Sequence, residues 1–278
     1  MKILPQHPRA ESIRIREEIV KHCGSGAVVL AGLIAHGRGE AFDYLLGEKT
    51  TENAFKAIRS AASVLLLAKH SVISVNGNVA ALASKDIVKL ANTVGSKIEV
   101  NLFYQSEKRE KAIKQILKES GAKEILGLGE AASANIPEVH SDRRRVDSRG
   151  ILKADVVLVP LEDGDRTEAL VKMGKTVIAI DLNPLSRTAQ WASITIVDNV
   201  IRAMPILIEE AKKIKNEKPK NLQKLAYEFN NSGNLGKAIG LMTHRLSELA
   251  EKGIYIPEVT EIHDHLEKRT FSLEEDTD

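Results

Sequence analysis

Apolar positions repeat along this chain with two different periods, and the change between them divides it. Over residues 9–23, Ile13, Ile15, Ile19 and Val20 mix with Arg14, Arg16, Glu17 and Glu18 near the 3.6-residue period of an amphipathic helix. A second helical stretch over 26–36 meets Gly37 and Gly39, which predict its interruption. The run TTENAFKAIRSAASVLLLAK (50–69) reads as a helix. Thr50 or Thr51 can cap it, and Glu52 stands in the first turn, where the helix dipole favours a carboxylate. Short β-branched runs then begin: HSVISVNGN (70–78), KIEVNLFY (97–104), KEILGLG (123–129), ADVVLVPLEDGD (154–165), GKTVIAIDLNP (174–184) and SITIVDN (193–199). Helical patterns at 83–96, 106–121, 165–174 and 199–218 separate them, and two more near 220–231 and 234–252 finish the chain.

Strands that alternate with helices imply crossover connections and a mostly parallel sheet. Nearly continuous Val/Ile strand interiors agree, because such strands are covered on both faces. The expected class is therefore α/β, three-layer and Rossmann-like, with helical additions at both ends. A helical segment over 1–60 packs on a core over 61–216. C-terminal helices at 217–262 and a charged tail at 263–278 complete one compact domain.

Composition narrows the function classes. Aromatic residues make up 4% of the chain, too few for the stacking platforms of a single-strand binder. Forty basic against thirty-eight acidic residues lack a nucleic-acid binder's excess, so no nucleic-acid partner is expected. There is one cysteine, Cys23, no transmembrane-length apolar run, and no signal-peptide core in MKILPQHPRAES. A cytoplasmic protein without a membrane partner is expected.

In an open parallel sheet, ligands bind beyond the carboxyl ends of the strands. That rule selects Asn76-Gly77-Asn78, residues 162–165, Asp181-Leu182-Asn183-Pro184 and Asp198-Asn199-Val200. Asp181 can accept hydrogen bonds from a ribose diol, with Asn183, Arg187 and Thr188 in reach of the same ligand. Equally, Asp181 and Asn183 can form an Asx-turn before Pro184. Asp198-Asn199 opens a helix, as a plain cap or as a site for phosphate or base. Arg143, Arg144 and Arg145 form a basic run, either a solvated face or a phosphate patch. His36 and Arg38 sit between glycines that can let backbone approach a ligand closely. Arg16 is a further cation, or simply a helix-surface charge. There is no GxGxxG, GxxxxGKS/T, HExxH or CxxC; GLGEAAS (127–133) is a partial glycine loop.

The blocks HPRAESIRIREEIV, AGLIAHGRGEAFDYLLGEKT, NIPEVHSDRRRVDSRGILKADVVLVPLEDGDRTEALVKMGKTVIAIDLNPLSRTA and TIVDNVIRAMP resemble the archaeal phosphopantothenate synthetase (4-phosphopantoate–β-alanine ligase) family. The resemblance spans roughly residues 5 to 256. It implies that ATP, 4-phosphopantoate and β-alanine become 4′-phosphopantothenate, AMP and diphosphate through an acyl-adenylate, in coenzyme A biosynthesis. It implies a homodimer, and ATP used with Mg²⁺. Carried over by position, ATP would meet Arg16, Arg38, Asp181, Leu182, Asn183, Arg187, Thr188, Asn199 and Val200. Leu182 and Val200 rest on the resemblance alone. Arg143, Arg144 and Arg145 are candidates for the substrate phosphate. His36 is the expected general base, with an acid of the 162–165 loop as substitute. Two alternatives stay open: another nucleotide-dependent enzyme (a kinase, or a ligase with a different amine), and an ATP-binding sensor without turnover.

Overall fold

The computed structural model describes residues 9–253 apart from residues 138 and 162. Three helices come first: α1 (Ala10–Gly24), α2 (Leu30–Leu46) and α3 (Glu52–Leu67). Then follow β1 (Ser71–Val75), α4 (Gly77–Val94), β2 (Lys97–Val100), α5 (Glu107–Glu119) and a small hairpin, β3 (Ala134–Asn135) with β4 (Arg145–Val146). The second half runs β5 (Val156–Val159), α6 (Gly164–Lys172), β6 (Thr176–Ile180), α7 (Arg187–Trp191), β7 (Ile194–Ile196), α8 (Val200–Ile214), α9 (Pro219–Tyr227) and α10 (Asn231–Lys252).

The main sheet has the order β2-β1-β5-β6-β7, and every pairing in it is parallel. Its register aligns Ile98, Ile73, Leu158, Ile178 and Ile194 in one row across all five strands. That row packs on α3, α4 and α8 in the larger core. Val72, Val157 and Val177 project to the other face, against Ala169 and Leu170 of α6. Each fully buried Ile or Leu contributes roughly 1.5–3 kcal/mol. Both faces are covered, which explains strands written without polar alternation. The architecture is the expected three-layer, Rossmann-like α/β fold.

Several element boundaries differ from the sequence expectation. Helix α2 passes unbroken through Gly37 and Gly39. Two glycines cost a helix roughly 2 kcal/mol. Burying Leu46 with Ala189, Leu235 and Met242, and packing Phe42 and Leu45 beside them, offsets that cost. Helix α4 starts at Gly77 instead of near 83, with a kink at Ala83 (φ −137°, ψ 18°). The 123–129 run adds only one bridge, Leu126 to Glu99, at the sheet edge. The charged tail lies outside the described residues. Among the described residues no helix is long and apolar enough to cross a membrane.

Candidate active site

Chain order sends β1 toward β2 and β5 toward β6, so a crevice opens between the carboxyl ends of β1 and β5. Above the sheet lies a cleft of about 480 Å³, with α2 as its outer wall. It extends from Asn76, Asn78 and Arg143 at the crevice to Asp181, Asn199 and Val200 beyond β6 and β7. The first turns of α4, α6 and α8 line it. Asn76 caps α4 by accepting from the Val79 amide at 3.0 Å, and Asn199 caps α8 by accepting from Ile201 at 3.2 Å. Unused first-turn amides and the helix dipole favour an anion there.

At the β6–β7 end, both open readings of the strand-end acids can be placed. Asp181 does form an Asx-turn: it accepts from the Asn183 amide at 2.9 Å and from Ser186 Oγ. Asn183 accepts from the Leu185 amide at 2.9 Å. Both residues nevertheless line the cleft, as does Leu182. Asn199 donates through Nδ2 to Asp43 at 3.0 Å, which leaves its side chain committed at both ends. Arg202 binds Asp43 (2.5 Å) and Asp198 (2.7 Å), and Thr50 donates to Asp198 at 2.6 Å. Burial raises the Asp198 pKa against the lowering effect of Arg202. Burial would lower Arg202, yet its bonds to the two carboxylates raise it on balance. Thr188 is fully buried and accepts from the Asp163 amide at 2.8 Å; it holds a loop and does not line the cleft. Arg187 lines the cleft and pairs with Glu168 at 2.8 Å.

Along α2, His36, Arg38, Gly39 and Glu40 line the cleft. Gly37 and Gly39 lie inside a continuous helix, whose amides are already bonded to carbonyls one turn back, and Gly39 lines the cleft. A Cβ on Gly37 would meet nothing within 4 Å, and one on Gly39 only Leu182 at 3.8 Å. The close approaches lie elsewhere. A Cβ on Gly32 would stand 2.5 Å from Asn78 Oδ1, and one on Gly77 2.1 Å from the Ala27 carbonyl. Arg16 does not line the cleft; it binds Glu40, which does, at 2.8 Å. That bond, with those from Ser12 and Tyr44, outweighs burial and holds the Glu40 pKa low. Burial lowers the His36 pKa, so the imidazole is neutral at pH 7. Its Nε2 is buried with no hydrogen-bond partner among the described residues.

At the crevice, Asp163 binds Arg143 at 2.6 Å and Arg166 at 2.5 Å through its two oxygens. Of the three arginines of the basic run, only Arg143 reaches the cleft. Arg144 is exposed on a short 3₁₀ turn, and Arg145 turns away to Ala132 and Gln105. Glu162 lies outside the described residues. Arg109, absent from the sequence reading, lines the cleft beside them. It stands in a helix that reads as a solvated charged face, so no local signal marks it. Glu40 follows His36 by one helical turn and was legible once α2 is known to continue.

A triphosphate's Mg²⁺ usually keeps several waters and takes one or two carboxylates besides phosphate oxygens. The described residues contain no cluster of three or more acidic, histidine or cysteine ligands. The carboxylates that line the cleft are those of Glu40, Asp163, Asp165, Asp181 and Asp198.

The family model for phosphopantothenate/pantothenate synthetase matches residues 53–245. Over 256 residues the chain is 50% identical to the 4-phosphopantoate–beta-alanine ligase of Thermococcus kodakarensis, spanning 92% of this chain and 97% of that protein. Identity and coverage are the same for the Thermococcus onnurineus ligase. The Methanosarcina mazei ligase is 51% identical over 249 residues, 90% of this chain and 97% of its own.

Proposed function

We propose a reaction for this chain on the premise that it belongs to the phosphopantothenate/pantothenate synthetase family. It condenses 4-phosphopantoate with β-alanine, forming a carbon–nitrogen bond, and ATP drives the condensation through an acyl-adenylate. AMP and diphosphate leave. The observation that carries this reading is one continuous cleft that joins the helix termini and arginines of the β1/β5 crevice to the strand-end residues of β6 and β7. It can hold a nucleotide and a phosphorylated acid side by side.

Adenylation brings a carboxylate against an anionic triphosphate, and cations must offset that repulsion. Arg38 and Arg187 are the cations toward the β6–β7 end, with the first turn of α8 beside them. Mg²⁺, when bound, supplies further positive charge to the phosphates. Asp181, Leu182, Asn183 and the Asn199–Val200 backbone hold the nucleoside. Thr188 fixes the Asp163 loop and Arg16 fixes Glu40, so both support the cleft indirectly. In the second step, the amine of β-alanine attacks the acyl carbon and AMP departs. Neutral His36, its Nε2 without a partner among the described residues, takes the proton that the amine sheds.

The test is product identity with 4-phosphopantoate, β-alanine and ATP. AMP and diphosphate in equal amounts are expected. ADP with phosphate would replace the adenylate by an acyl phosphate, and nucleotide binding without turnover would make the chain a sensor. We also propose a homodimer. Leu30, Ile34, Gly37, Ala41 and Tyr44 recur at alternating four- and three-residue spacing on the exposed face of α2. Leu30 and Ile34 are 73% and 72% exposed. Small residues at the middle of that stripe suit close packing against a twofold copy. Light scattering at micromolar concentration should give twice the chain mass; a monomer would refute it.

A further inference from the structure

Glu99, in β2, is a fully buried carboxylate that the proposed reaction does not use. Parallel register sets it beside Ser74 of β1. Among the described residues its oxygens accept two hydrogen bonds, from the Asp147 and Ile151 amides, and no cation is bonded to it. Two glycines make room for it: a Cβ on Gly127 would stand 2.7 Å from Glu99 Cγ, and one on Gly150 3.0 Å from its carboxyl carbon. The cation that acts on it electrostatically is Arg166 of α6. Arg166 donates to Ser74 Oγ at 2.8 Å and pairs with Asp163, while its Nη1 is buried without a hydrogen-bond partner among the described residues. Asp163 in turn holds Arg143, which lines the cleft. Charges thus run in sequence from the sheet to the cleft: Glu99, Arg166, Asp163, Arg143. On the other side of Glu99, Asp147 repels it, and Arg149 is paired with Asp147 at 2.8 Å.

With Glu99 protonated, this series holds two cations and one anion. With Glu99 ionised, the two signs balance, and Arg166 is divided between two carboxylates. Buried charges are screened far less than exposed ones, so the difference reaches the cleft. An anion there gains attraction when Glu99 holds a proton, and by reciprocity its presence makes that proton harder to lose. Burial outweighs the two amide bonds and Arg166 and raises the Glu99 pKa to about 7, which puts the exchange near neutral pH. We propose that Glu99 is a positioning residue coupled to a proton: through Arg166 and Asp163 it sets how strongly Arg143 draws an anionic substrate, and substrate binding and protonation of Glu99 favour each other. Affinity is then highest in acid and falls as the pH rises through about 7. This rests on the ligase reading above only for the identity of the substrate, 4-phosphopantoate.

Calorimetric titration of wild type and Glu99→Gln with 4-phosphopantoate, from about pH 5.5 to about pH 8.5, tests it. Titration of the ligand, and of groups common to both proteins such as His70 at the Arg149 carbonyl, cancels in the ratio of their affinities. At the acid end the two should agree within about twofold, which certifies the fold of the variant; toward the alkaline end wild type should weaken by at least about threefold relative to Glu99→Gln. Sulfate, a dianion throughout this range, is a second probe with no proton of its own. Its binding near neutral pH should draw a fraction of a proton from the buffer in wild type, read as a dependence of the heat on the buffer's ionisation enthalpy, and less in Glu99→Gln. A 4-phosphopantoate ratio that stays flat with pH would overturn the proposal and leave Glu99 as a clamp on the loop before β5. Equal proton uptake by the two proteins would do the same. If the variant fails to bind at the acid end, wild type alone decides: no proton uptake with sulfate overturns the proposal. If wild type binds no 4-phosphopantoate, the ligase reading falls; a sloping sulfate ratio then keeps the coupling, and a flat one ends it.

Discussion

Glu99 offers a prediction whose size follows from the structure. This carboxylate at the sheet edge is fully buried. It accepts from the Asp147 amide at 2.9 Å and the Ile151 amide at 2.5 Å, and so fastens the loop that leads into β5. The loop sits so close that a Cβ on Gly150 would stand 1.9 Å from Glu99 Oε2. Desolvation outweighs both bonds and Arg166, and raises the pKa from 4.5 to about 7. The folded state therefore holds a proton that the unfolded chain releases. Stability linked to Glu99 is fully present below pH 4.5 and is lost as the pH rises through about 7. That rise corresponds to about 3 kcal/mol in total, most of which falls between pH 5 and pH 8. Urea unfolding of wild type and Glu99→Gln across that range reads it directly. Other titrating groups cancel in the difference between the two proteins. The difference should move in favour of Gln by about 2–3 kcal/mol. Gln also loses one acceptor to the loop amides, which adds a constant offset of about 1 kcal/mol and no slope. Parallel stability curves for the two proteins would refute the reasoning.

Four further outcomes follow. Arg38→Ala should lower kcat/KM by about 100-fold or more with an unchanged circular dichroism spectrum, since one charge-stabilising contact is removed; full activity would refute its role. His36→Gln should lower kcat by about 100-fold. It should also abolish an acidic limb that in wild type lies below the ordinary imidazole pKa, because burial lowers it; a retained limb would assign the base elsewhere. Gly240→Ala, in α10, should stabilise the protein by about 0.5–1 kcal/mol in chemical denaturation, as helix propensity predicts where nothing is crowded. Gly77→Ala, aimed at the Ala27 carbonyl, should destabilise strongly, and equal effects at the two glycines would contradict this contrast. Asp43→Ala leaves Arg202 with one carboxylate and Asn199 Nδ2 without its acceptor. A loss of about 3 kcal/mol and weaker ATP binding are expected; a change below 1 kcal/mol would show that the network is dispensable.

Local text was sufficient for the sheet and for the address of the site. Strands buried on both faces must be written as unbroken Val and Ile, and that pattern is visible within five residues, as in TVIAI. Strand ends face the ligand in this topology, so Asp181 and Asn199 could be picked out without knowing what lies opposite them. The Asx-turn at Asp181 and the cap at Asn199 were legible for the same reason, because their partners lie within a few residues. The path of α2 was not legible. Gly37 and Gly39 lower helix propensity locally, but Leu46 and Phe42 pack on residues of α7 and α10 that are far along the chain. The cations were legible only by type. One of three adjacent arginines, Arg143, faces the cleft because Asp163 holds it. Arg109 joins it by reaching the carbonyl of Ala27, 82 positions away, and Arg202 meets Asp43 across 159. Hydrophobic period is a property of neighbours in sequence and survives in one dimension. The pairing of a guanidinium with a carboxylate, or its being left for a phosphate, depends on which strands lie side by side, and only the folded chain decides that.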